Sequence, residues 1–84
     1  MRAARRTEGT QPEDVGTLWT MRRSEHAARC ALLAYQGDWV LRVIIGGDVV
    51  LTERCRRGAR AFRVAEMWKD QMIEQGWRPV VPRS

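Results

Sequence analysis

The sequence predicts an α+β fold, a four-stranded antiparallel meander with one C-terminal helix packed on one face (ββββα). Three observations predict it. Apolar residues alternate from Trp19 onward, turn-forming residues break the alternation three times at hairpin spacing, and after Gly58 the period becomes that of a helix. Eighty-four residues, 44% of them hydrophobic, make one small domain at most.

Residues 1–16 hold three Arg, three acidic residues, Pro12 and two Gly with almost no large apolar side chain. Such a stretch buries too little surface to offset its ordering entropy, so a disordered arm is expected there. The folded domain is expected over 17–78, with 79–84 as a flexible tail.

The first strand carries Trp19 and Met21 on one face, the second Ala28, Cys30, Leu32 and Ala34, and the third Trp39, Leu41, Val43 and Ile45. Ser24-Glu25 and Gln36-Gly37 separate these runs as two-residue loops. The first loop sets Trp19 opposite Cys30 and Met21 opposite Ala28; the second sets Ala34 against Trp39, Leu32 against Leu41 and Cys30 against Val43. One apolar face therefore persists across three strands. At the third turn, a loop of Gly46-Gly47 alone would pair Val43 with Val50 and throw Val49, Leu51 and Cys55 onto the other face. A three-residue loop including Asp48 is expected instead, pairing Ile45 with Val49, Val43 with Leu51 and Trp39 with Cys55. Glu53, opposite Leu41, is then the odd polar residue of that face.

Over 58–76 the residues Ala61, Val64, Ala65, Trp68 and Met72 form one helical stripe flanked by Phe62 and Ile73, with Arg60, Arg63, Glu66, Asp70 and Glu74 on the opposite arc. Gly76 ends the helix, and Trp77 is placed to touch Met72 in a Schellman-type cap before Pro79. The four tryptophans Trp19, Trp39, Trp68 and Trp77 fall on inner faces or in that cap, which reads as core rather than a ligand cage.

Composition narrows the function. Fifteen Lys and Arg against ten Asp and Glu give a net charge of +5, and fourteen of the fifteen are Arg. No apolar run approaches the roughly 20 residues of a spanning helix, so no membrane role is expected. No secretory apolar segment follows the basic Met1–Arg6, so a cytoplasmic location is expected. Cys30 and Cys55 fall on strands separated by a third, too far apart for a disulfide, and read as core thiols. His26, the single histidine, stands four strand residues or about 13 Å from Cys30, beyond catalytic reach. No enzyme activity, cofactor or metal is expected.

Two surfaces remain. Arg54, Arg56, Arg57, Arg60 and Arg63 crowd the start of the helix, where basic charge opposes the helix dipole and an anion such as a nucleic-acid phosphate would relieve it. The outer sheet face carries Leu33, Val40, Ile44 and Val50 with Tyr35 and Arg42, an apolar patch suited to a protein surface. The leading expectation is a small interaction module that homodimerises through this open face. Nucleic-acid binding through the Arg cluster is the alternative.

Trp19-x-Met21, Gly37-Asp38-Trp39, Gly46-Gly47, the Arg54-Cys55 strand end and Glu74-Gln75-Gly76-Trp77 together resemble short uncharacterised bacterial proteins of a strand-meander-then-helix type. The resemblance covers residues 18 to 77. It implies the architecture and carries no activity onto named residues.

Overall fold

A meander of four antiparallel strands gives way after Cys55 to one helix lying across one face of the sheet. The computed structural model describes residues 12–81. Its elements are β1 (Glu13–Arg23), β2 (His26–Tyr35), β3 (Asp38–Ile45), β4 (Asp48–Cys55), α1 (Gly58–Glu74) and a short β5 (Arg78–Pro79), with strand order β4-β3-β2-β1-β5.

The first two hairpins have the expected registers, Trp19 facing Cys30, Met21 facing Ala28 and Ala34 facing Trp39. Gln36 and Gly37 both take positive φ, 52° and 83°, the signature of the turn whose twist matches a two-residue hairpin. The third hairpin differs from expectation. Its loop is the two residues Gly46-Gly47, with Ile45 facing Asp48 and Ile44 facing Val49, and the register shifts by one residue before Val43 meets Leu51. Val50 is the extra residue of a β-bulge. The bulge restores the pairing that a three-residue loop would have given, so Trp39 still faces Cys55. Glu53 does lie opposite Leu41, and Arg60 of the helix reaches its carboxylate at 3.5 Å.

The core lies between the inner sheet face and α1. Met21, Cys30, Leu41 and Val43 are fully buried against Ala61, Val64, Ala65, Trp68 and Met72, the stripe that the helical period defines. The Trp19 indole N–H donates to the Ala65 carbonyl at 2.9 Å, which pins β1 to the helix. At the helix end Gly76, with φ 99°, donates to the Ile73 carbonyl while Trp77 donates to that of Met72, each at 3.0 Å. This is the Schellman arrangement, with Trp77 buried in the same core.

Both domain boundaries move outward. Glu13–Gly16, expected in the arm, are the first residues of β1, facing the Leu32–Ala34 end of β2 across bulges at Val15 and Leu18. Residues 1–11 of the expected arm lie outside the described residues. Pro79, expected in the tail, faces Met21, and the Val80 N–H donates to the Thr20 carbonyl at 2.8 Å. Residues 82–84 lie outside the described residues. Main-chain ladder bonds drive both extensions, and those bonds need no apolar side chain.

Candidate functional site

The outer sheet face carries a second cluster of its own. Ala31, Leu33 and Val40 are buried there, with Tyr35 and Ile44 packed against them. Leu33 is only 7% and Val40 only 5% exposed, so the centre of the expected dimer patch offers almost no apolar surface to a partner. Of the six residues assigned to that patch, Tyr35, Arg42 and Ile44 are half-buried and Val50 is exposed at the bulge.

Exposed apolar surface gathers instead at the hairpin end of β4, where Val49, Val50 and Leu51 are 50%, 50% and 41% exposed. The path of the helix explains this. Gly58 starts α1 against the Trp39 ring, at the far end of β4, and the helix ends where Arg23 of β1 donates to the Gln75 carbonyl and lies 4.8 Å over the Trp77 ring. That diagonal leaves the β4 hairpin end uncovered. Leu51 has the parity of a core residue, facing the fully buried Val43, yet lies past the edge of the helix.

The five clustered arginines do not converge. Arg54 belongs to the outer sheet face, where its Nε donates to Asp38 Oδ2 at 2.7 Å and its guanidinium lies 5.1 Å from the centre of the Tyr35 ring. Arg60 is on the helix side with Glu53. Arg57 occupies the N-cap position of α1 and makes no capping bond through its side chain, and no acidic residue occupies the first turn. Arg63 projects from the exposed arc of the helix. Arg56 is exposed in the bend that follows Cys55, between β4 and α1. Arg56, Arg57 and Arg63 have no ion pair among the described residues.

Arg42, expected as part of the dimer face, sits on the same outer face opposite Thr52 and likewise has no ion pair among the described residues. Arg29 shares that face and is engaged, donating to Thr17 Oγ1 at 2.9 Å and reaching Asp14 at 3.5 Å.

Burial sets the thiol chemistry. The Cys30 thiol is pushed up to about 11 by desolvation, and burial also raises that of Cys55, with Glu53 adding to the effect. Both are free thiols on β2 and β4 with β3 between them. No group of three or more His, Cys, Asp or Glu among the described residues is arranged to hold a metal ion. An open groove of about 390 Å³ runs beside β1, lined by Leu18, Trp19, Val80 and Val81, and Lys69, its only charged wall, is 3.6 Å from Glu66. No helix among the described residues is long and apolar enough to cross a membrane. Comparison with known proteins leaves this geometry to speak for itself: no family model, no curated protein and no solved structure matches the chain.

Proposed function

We propose that the protein is a small non-enzymatic interaction module that pairs with a second copy of itself through the hairpin end of β4. The observation that carries this reading is the run of three consecutive half-exposed apolar residues, Val49, Val50 and Leu51, on the edge strand beyond the reach of the helix. A domain of this size buries a modest share of its surface alone, and covering three such side chains gains about 25 cal/mol per Å². The bulge at Val50 and the inward carboxylate of Glu53 interrupt the ladder edge, as natural edge strands do to resist sheet extension. The contact is therefore side-chain burial rather than a continued sheet. Relative to the sequence expectation, the self-association surface shifts from the centre of the outer face to the β4 edge of the sheet, with Val50 common to both.

Light scattering across a concentration series tests it. The expected result is a dimer mass for the wild type and a monomer mass for Val50→Glu, with a melting temperature little changed because Val50 lies outside both cores. A wild type that stays monomeric at high micromolar concentration overturns the reading.

A further inference from the structure

We infer that the outer sheet face is a platform for single-stranded nucleic acid, built on Tyr35, Arg42, Arg54 and Arg56. The inference does not rest on self-association, because Tyr35 and Arg54 lie at the other end of the sheet from Val49 and Val50, and only Arg42, opposite Thr52, borders that patch.

The first support is a guanidinium held in place. Arg54 is clamped from two directions, by Asp38 through Nε and by the face of the Tyr35 ring. The Asp38 bond uses one of its five N–H donors, so its terminal nitrogens remain available. A planar cation already stacked on an aromatic ring presents its other side as a surface for an unpaired base, and its free donors to phosphate. Its side chain is half exposed, so a ligand reaches it.

The second support is spacing and charge. Arg42 faces Thr52, one diagonal step from Arg54, a separation of about 7 Å, and Arg56 follows Arg54 by two residues, exposed in the bend at the end of β4. Arg42 and Arg54 thus stand on neighbouring strands in a step like that between phosphates of an extended strand, and Arg56 adds a third exposed guanidinium close in the chain. The acids on this face are already engaged, Asp14 by Arg29 and Asp38 by Arg54, whereas Arg42 and Arg56 have no ion pair among the described residues. The uncompensated charge of this surface is positive, while Glu66, Asp70 and Glu74 project from the helix on the other side of the sheet.

The third support is what the face lacks. With Ala31, Leu33 and Val40 already covered, it offers a protein partner little apolar surface to bury, whereas phosphates and bases need only the charges and planes that remain. A duplex keeps its bases stacked internally and would leave the Tyr35–Arg54 plane unused, which selects a single strand.

The test is fluorescence anisotropy of labelled oligothymidylate and oligouridylate of about 16 nucleotides, beside a duplex of equal length, titrated with salt. Single strands should bind more tightly than duplex, and the DNA and RNA arms report whether the sugar is read. With three phosphate contacts, log K against log salt should fall with a slope of about −2, at about −0.7 per contact. Arg42→Gln with Arg56→Gln should lower the magnitude of that slope by about 1.4, while Arg60→Gln with Arg63→Gln on the helix side should leave it unchanged. Tyr35→Leu should weaken binding about tenfold, with circular dichroism reporting that the fold persists. Equal losses from the two double variants, equal affinity for duplex, or no binding at about 50 mM salt would each overturn the proposal. Val50→Glu run in parallel separates the two readings, because a monomeric variant that still binds leaves this inference standing without the dimer's involvement.

Discussion

On the helix side of the sheet, Met21, Cys30, Leu41 and Val43 are sealed beneath Trp68 and Met72, and the cluster extends from Trp19 to Trp77. On the other side three buried residues, Ala31, Leu33 and Val40, are rimmed by Tyr35, Ile44 and arginines. The same strands build both, since Leu41 and Arg42 are neighbours that point to opposite faces. The difference teaches how a small domain divides its work. Cohesion is concentrated where a helix completes the burial, and the side left without a second layer buries only its own centre and keeps its rim in solvent.

Substitutions that strike each face alike would break this comparison. Trp68→Ala, which removes the largest helix residue from the inner core, is expected to cost about 3 to 5 kcal/mol, a large share of the stability of any small domain. Denaturant unfolding should then show no native baseline or a greatly lowered midpoint. The paired variants Leu41→Ala and Leu33→Ala sharpen the comparison. Leu41 is enclosed on every side and should cost near 4 kcal/mol, while Leu33, covered by a single layer of side chains with solvent beyond, should cost about 2. Equal costs would show that the outer cluster is as rigidly packed as the inner one.

A smaller effect comes from the buried thiols. Cys30 ionises near pH 9 in the unfolded chain and only at about 11 in the folded one, so between those values the unfolded state loses its proton first. This contribution to stability is fully present below pH 9 and is lost as pH rises toward 11. The melting temperature of the wild type should therefore fall more steeply over that window than that of Cys30→Ala. In the native state both thiols should react slowly with alkylating reagents, and readily once unfolded.

The strand pattern was legible because Trp19, Met21, Cys30, Leu32, Leu41 and Val43 alternate without error and each turn carries residues suited to it. The helix was legible down to its Gly76 stop, since the stripe and the cap are local signals. The third turn was not, because a two-residue loop with a bulge and a three-residue loop produce identical pairing beyond Leu51. The start of β1 and all of β5 escaped notice because they are held by main-chain bonds, which leave no mark in side-chain composition. The site was harder to read for another reason. Arg54, Arg56, Arg57, Arg60 and Arg63 are close in the chain, but a strand-to-helix junction sends neighbours to different sides, so adjacency in sequence implied a convergence that the fold does not make. The exposure of Leu51 depends on the diagonal of α1, a tertiary choice no local pattern encodes.

The two-residue strand β5 bears on the order in which the molecule comes together. Its partners Met21 and Arg22 are synthesised long before Arg78 and Pro79, and every other neighbour pair in the sheet is joined by a tight hairpin. Closing this one contact means bringing together positions separated by the whole meander and the helix, a chain-entropy cost that local hairpins do not meet. During translation the flank of β1 therefore stays open until the helix has docked and Trp77 has carried the chain back beneath Arg23. A nascent chain halted at Gly76 would leave residues 20–22 on the outer edge of β1 unpaired before its neighbours on the polysome, the condition under which strands from different copies find one another.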